Sequence, residues 1–158
     1  MKKTALFPGT FDPFTIGHLS LVERGLQLVD EIIVAIGINP NKKTFFSLAQ
    51  RIDMISRLFK LNPKVSVQSY TSTTVDFARE TNAQFILRGI RSVNDFEYEK
   101  NIADVNRKIA GIETFVLFTK PELTHISSSI VRELLSFGKN VDDFVPADLH
   151  INDYKITK

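Results

Sequence analysis

The sequence predicts an α/β fold, a single doubly wound domain whose five-stranded parallel sheet has the order 3-2-1-4-5 and carries helices on both faces. Three observations lead there. Short apolar runs alternate with longer amphipathic stretches five times along the 158 residues, the signature of a parallel sheet with right-handed crossovers. Two of the runs, 31–38 and 84–88, read as buried on both faces, as central parallel strands are. No linker rich in Gly, Ser or Pro, no repeat and no low-complexity segment interrupts the alternation, so one domain over 1–158 is expected.

Each element has its own reason. "TALF" (4–7) is the first strand, and "HLSLVERGLQLV" (18–29) the amphipathic helix that follows it. "EIIVAIGI" (31–38) is the second strand. The helix at 47–60 opens on Ser47 with Gln50 three residues on, a capping box. "KVSVQSY" (64–70) is a third strand and "TVDFARETN" (74–82) a helix. "QFILR" (84–88) is the fourth strand. The helix at 93–110 starts after Ser92, which with Asp95 resembles another capping box, and "FEY" (96–98) is expected to be partly core. "ETFVLF" (113–118) is the fifth strand, and a last helix at 127–137 ends at Gly138. The tail from about residue 140 is expected to pack on the domain and to add one short helix.

Composition excludes several function classes. The net charge of +2 is too small for a whole-surface nucleic-acid or membrane binder, so functional positive charge must be local. The absence of cysteine rules out disulfides and thiolate zinc sites, and three histidines make a histidine-built metal centre a poor expectation. "MKK" runs straight into the first strand without a signal-peptide pattern, and the apolar runs are far shorter than a membrane span, so a cytoplasmic protein is expected.

In a doubly wound sheet ligands bind beyond the carboxyl ends of the strands, where strand order reverses. With order 3-2-1-4-5 the reversal lies between strands one and four. The loops leaving those strands, "PGTFDPFTIGH" and "RGIRS", are the most chemically loaded in the chain. In the first, Gly9 allows close approach of a ligand to the backbone, Thr10 offers a hydroxyl and an N–H, and Gly17 and His18 stand at a helix start that favours an anion. The alternative is a plain Pro-Gly turn with His18 incidental. In the second, Arg88 and Arg91 flank Gly89 and suit a phosphate bidentately, or else are solvated. Lys42 and Lys43 leave the same sheet edge after strand two, and several cations converging there indicate a polyphosphate. The hydroxyls of "ISSS" (126–129) suit a further phosphate or serve as an N-cap. Asp95 and Glu99, one helical turn apart, form a metal or acid–base pair, or else a solvated face or partners of the nearby arginines. Asp12 before Pro13 reads as a turn residue.

"PGTFDPFTIGH" resembles the TxGH form of the HxGH motif of nucleotidylyltransferases, with Thr15 at the first histidine position. Together with "NKK", "RGIRSVNDFEYE" and "HISSSIVRE", in order and at family spacing from Ala5 to about Leu149, it resembles the bacterial phosphopantetheine adenylyltransferases. That resemblance implies a Rossmann-like domain that transfers AMP from ATP to 4′-phosphopantetheine, giving dephospho-coenzyme A and pyrophosphate. Mg²⁺ would accompany the nucleotide, with no metal ligand from protein side chains. It implies ATP contacts from Gly9, Thr10, Phe11, His18, Gly89, Ile90, Arg91, Glu99, Leu123, Thr124, His125, Ile126, Ser127, Ser128 and Ser129. Phosphopantetheine contacts would come from Thr10, Lys42, Thr74 and Arg88, and a homohexamer, a trimer of dimers, is implied. Phe7 stands where the family has a tyrosine, and Thr73 and Thr74 where it has bulkier apolar residues.

A phosphate monoester, with a second pKa of about 6, is already mostly a dianion at neutral pH and needs no general base. His18 is therefore expected to donate to the α-phosphate, and Thr10, Lys42 and Arg91 to position and neutralise. The rivals are a sister transferase acting on nicotinamide mononucleotide or making CDP-alcohols, a non-catalytic nucleotide-binding module, and an RNA binder. Nucleic acid and membrane are not expected partners.

Overall fold

The computed structural model describes residues 1–156. Strands β1 (Thr4–Gly9), β2 (Glu31–Gly37), β3 (Val65–Tyr70), β4 (Phe85–Ile90) and β5 (Glu113–Phe118) form one parallel sheet in the order β3-β2-β1-β4-β5. Helices α1 (Ile16–Gly25), α2 (Leu48–Leu58), α3 (Thr74–Glu80), α4 (Val93–Ala110) and α5 (Ser128–Ser136) follow the strands in turn. The expected fold class and strand order are those observed.

Register explains where a ligand fits. β1 pairs with β2 along its whole length, from Thr4↔Glu31 to Gly9↔Ile36. Against β4 it pairs only at Ala5↔Phe85 and Leu6↔Ile86. Beyond Leu6 the two strands part, and the gap between their carboxyl ends is the crevice expected at a switch point. β2 is buried along its centre, whereas the far half of β4 borders the gap and is only half-buried at Arg88 and Gly89. Arg88, Gly89 and Ile90 are thus strand residues, and the loop begins at Arg91 rather than at Arg88.

Core packing lies on both faces of the sheet. One cluster includes Phe14, Val22, Val34, Ile36, Met54 and Ile55; the other, on the opposite face, includes Leu6, Ala35, Phe77, Ala78 and Ile86. Val141, Val145, Leu149 and Ile151 of the tail belong to the first cluster. The tail forms two 3₁₀ turns, Ala147–Leu149 and Ile151–Asp153, where one short helix was expected. Its end is fastened to α2: the Tyr154 hydroxyl donates to Asp53 at 2.7 Å, and Gln50 Nε2 to the Lys155 carbonyl at 2.8 Å. α1 ends at Gly25, four residues before its sequence pattern does, because residues 26–29 close as turns onto α1 carbonyls. Phe96 and Tyr98, expected partly in the core, are exposed, since Glu99 is the buried residue of α4. Among the described residues no helix is long and apolar enough to cross a membrane.

Gly89 is needed for this packing. A Cβ there would come within 2.3 Å of Leu21 Cδ1, so the Leu21 side chain of α1 fills the space that glycine leaves on β4. Gly89→Ala should cost about 1–3 kcal/mol, as overpacking does. Adding Leu21→Ala should return part of that loss, giving a non-additive pair in urea unfolding. Additive losses would show that the two positions do not compete for space.

Candidate active site

The turn from β1 to α1 is held by its backbone carbonyls. Arg88 Nη1 donates to Pro8 O, Arg51 Nη1 to Thr10 O and Arg132 Nη1 to Asp12 O, each at 2.7 Å. Three arginines from β4, α2 and α5 thus grip alternate residues of one short stretch. The Asp12 carboxylate, buried, accepts from Phe45 N–H at 2.7 Å and Phe46 N–H at 2.8 Å, tying the turn to the loop that carries Lys42. The Asp12–Pro13 peptide is cis. Phe11 adopts φ +49°, in the left-handed region that non-glycine residues seldom occupy. Its ring folds back over Gly9, where a Cβ would meet it at 2.8 Å. Gly9 therefore makes room for Phe11, and it also lines the cleft, as its sequence context suggested.

His18 is the third residue of α1 and closes a reciprocal capping box that sequence reasoning missed. The Thr15 hydroxyl accepts from His18 N–H at 3.3 Å, and His18 Nδ1 accepts from Thr15 N–H at 3.0 Å. Glu or Gln is the usual partner in this motif, so the histidine hid it. A nitrogen that accepts a backbone N–H carries no proton, so the imidazole is held as the Nε2–H tautomer. Burial, then the nearby charges of Arg91 and Arg88, push its pKa down to about 4. Phe11 and Phe14 pack against the ring, at 5.0 and 5.2 Å between centroids. At neutral pH His18 is a fixed, uncharged donor. The α1 terminus is less free for an anion than expected, because Ile16 N–H donates to Phe144 O at 3.0 Å and His18 N–H is capped.

The opposite wall is built on ion pairs. Arg88 meets the buried Glu99 side-on, Nε to Oε2 at 2.7 Å and Nη2 to Oε1 at 2.5 Å. Arg91 lies 3.6 Å from Asp95, whose carboxylate also takes Arg91 N–H at 3.0 Å. Ser92 caps α4 as expected, but Asp95 turns to Arg91 instead of completing the box. Asp95 and Glu99 are therefore arginine partners. At α5 the three serines divide their work: Ser127 caps the helix, Ser128 donates to Pro13 O at 2.8 Å, and Ser129 accepts from Arg132 at 3.2 Å. Ser127 and Ser129 only accept in these bonds, so their O–H groups, with the first-turn amides, are the donors left for an anion at this end.

These walls enclose a cleft of about 360 Å³ lined by Gly9, Thr10, Phe11, His18, Lys42, Arg88, Gly89, Arg91, Glu99, Leu123, Ile126 and Ser127 to Ser129. Ile90 is buried away from it, and Thr124 and His125 lie outside the lining, the His125 ring standing edge-on to Phe144 at 6.4 Å. A second, adjoining cavity of about 650 Å³ contains Thr74, with Asn39, Tyr70, Thr73 and Asn106. Thr10, Lys42, Arg88 and Glu99 line both. Lys42 Nζ reaches Thr10 Oγ1 at 3.1 Å, whereas Lys43 is exposed and lines neither. Arg132 was also missed; it stands one turn after Ser128 and Ser129 on the cleft-facing side of α5, a spacing legible in "SSSIVR".

Residues 6–134 match the cytidylyltransferase-like family. The chain is 60% identical to the phosphopantetheine adenylyltransferase of Bacteroides thetaiotaomicron over 152 residues, covering 96% of this chain and all of that one. It is likewise 60% identical to the enzyme of that name from Phocaeicola vulgatus, covering 95% and 99%. A crystal structure of a bifunctional NMN adenylyltransferase/ADP ribose pyrophosphatase from Francisella tularensis superposes with a TM-score of 0.68 at 18% identity. It covers 92% of this chain and 44% of that one, a likeness of fold. The chain belongs to the cytidylyltransferase-like family and, within it, to the phosphopantetheine adenylyltransferases.

Proposed function

We propose that the chain transfers the adenylyl group of ATP to 4′-phosphopantetheine, forming dephospho-coenzyme A and releasing pyrophosphate. The observation that carries this is 60% identity to phosphopantetheine adenylyltransferases over 95–96% of a chain that brings His18, Lys42 and Arg91 around one cleft. A phosphate oxygen of phosphopantetheine attacks the α-phosphorus, the bond to the β-phosphate breaks, and the electron pair leaves on pyrophosphate. The two cavities supply the layout. ATP lies in the smaller cleft, between His18, Arg91 and the start of α5. The pantetheine arm lies in the larger cavity beside Thr74. The phosphates meet at the boundary, where Lys42 and Arg88 belong to both and offset the repulsion between two anions. His18 Nε2–H donates to the α-phosphate, and Thr10 contacts both substrates.

Mg²⁺ belongs to this proposal as part of the nucleotide substrate. The cleft's carboxylates are already engaged: Asp12 by two amides, Asp95 by Arg91 and Glu99 by Arg88. In this reading the ion is carried by ATP phosphates. A cytoplasmic location follows from the same reading, as the place where ATP and a phosphorylated intermediate are both supplied. The family resemblance extends this reading to a homohexamer, a trimer of dimers; α4 exposes Tyr98, Ile102, Val105 and Ile109 along the rim of the larger cavity, an apolar face suited to a second copy. Sedimentation of the purified chain checks it, and a monomer at micromolar concentration would refute it.

The test is pyrophosphate release from ATP with 4′-phosphopantetheine, nicotinamide mononucleotide or glycerol 3-phosphate as acceptor. Turnover is expected with the first alone. Silence with the first, or turnover with either other acceptor in its place, would overturn the assignment.

A further inference from the structure

Of the three arginines that grip the β1–α1 turn, Arg88 and Arg132 also line the cleft, and Arg51 does not. Arg51 is 4% exposed and, among the described residues, has no carboxylate in an ion pair with it. The nearest acid, Asp12, spends both oxygens on the amides of Phe45 and Phe46. Burying an unpaired guanidinium is unfavourable, and here it is offset by two backbone carbonyls. Nη1 donates to Thr10 O at 2.7 Å and Nε to Phe46 O at 3.2 Å.

The bond to Thr10 O bears on one peptide unit. Phe11 at φ +49° is in a conformation that a flip of the Thr10–Phe11 peptide would relieve. A flip would also turn the carbonyl away from Arg51. In a trans peptide the N–H points opposite to the C=O. With the carbonyl drawn inward to a buried guanidinium, the Phe11 N–H is directed to the other side of the chain, where the cleft lies. That N–H has no protein acceptor among the described residues. We infer that Arg51 is a positioning residue for adenylyl transfer: by gripping the Thr10 carbonyl it holds the Thr10–Phe11 peptide in the orientation that offers Phe11 N–H to a phosphate of ATP. The inference rests on the reading of the smaller cleft as the ATP site.

Two variants and two readouts test it. Arg51→Met removes the donors, and Arg51→Lys keeps a buried cation but loses the planar fork that spans both carbonyls. In the wild type the Phe11 amide resonance should move downfield on addition of Mg–ATP. In Arg51→Met that response should be lost and kcat/KM for ATP should fall by about 10²-fold, as for loss of an oriented donor. Arg51→Lys should fall between, by at least about threefold, with a weakened response. Thermal denaturation identifies the folded variants, and if Arg51→Met does not fold, Arg51→Lys decides. A folded variant with an unchanged Phe11 response and kcat/KM within about twofold of wild type would overturn the inference, even if its Tm were lower. So would a wild-type Phe11 amide that ignores Mg–ATP. The amide readout needs no acceptor, so failure of the proposed phosphopantetheine reaction would be seen separately.

Discussion

His18→Ala should lower turnover by about 10²–10³-fold, the usual effect of removing one preorganised transition-state donor, while ATP affinity stays within about an order of magnitude. The same substitution deletes half of the Thr15–His18 capping box and should cost about 1 kcal/mol of stability. His18→Gln separates these effects. Gln is a standard partner for a threonine N-cap, so this variant should regain the melting temperature of the wild type and stay catalytically poor. Recovery of turnover together with stability would mean that His18 matters for its cap alone. The pH dependence follows from the same bond. Nδ1 must be unprotonated to accept Thr15 N–H, and the folded-state pKa is lowered from 6.5 to about 4. Between those values the unfolded chain binds more protons at this site than the folded one. The stability it contributes is therefore complete above about pH 6.5 and is lost as pH falls towards 4. Wild type should destabilise relative to His18→Gln across that window, and His18 should impose no break on the turnover profile between pH 6 and 8. A break there that vanishes in His18→Gln would restore a general-base role.

How much of this was legible in the sequence differs by element. β5 and α4 lie where their apolar patterns put them, because a short apolar run and a 3.6-residue period bounded by Ser92 and Gly111 are local signals. The tail packs on the domain as expected, but its form was not legible: Val141, Val145, Leu149 and Ile151 enter the core along a segment with two 3₁₀ turns whose spacing matches no regular period. α4 misled for the opposite reason. It has an apolar stripe, but in the single chain that stripe faces solvent and Glu99 faces inward, drawn there by Arg88. In the candidate site, Thr10, His18 and Lys42 could be read from the segments that leave β1 and β2, and Arg88 from the end of its strand. Arg51 could not, since a lone arginine inside a helix pattern looks like any solvated one, and only the tertiary fold buries it against Thr10.

Arg88→Met should be the most damaging substitution to the fold and to catalysis together. Glu99 is 7% exposed, and removing its partner leaves a buried carboxylate without its charge-assisted hydrogen bonds, which costs about 3–5 kcal/mol. It also frees Pro8 O and removes one of the two cations shared by the cavities. A loss of activity in that variant alone would not distinguish a damaged fold from a missing phosphate ligand. The double variant Arg88→Met with Glu99→Leu does so. Replacing both members of a buried pair by apolar side chains of similar size is often neutral or stabilising, so the double variant should recover most of the unfolding free energy in urea. Its turnover should nevertheless stay at least about 10²-fold below wild type, because Lys42 alone then remains to offset two phosphates where the cavities meet. If the double variant regained both stability and turnover, Arg88 would be only a structural partner for Glu99, and the boundary between the cavities would depend on Lys42 alone.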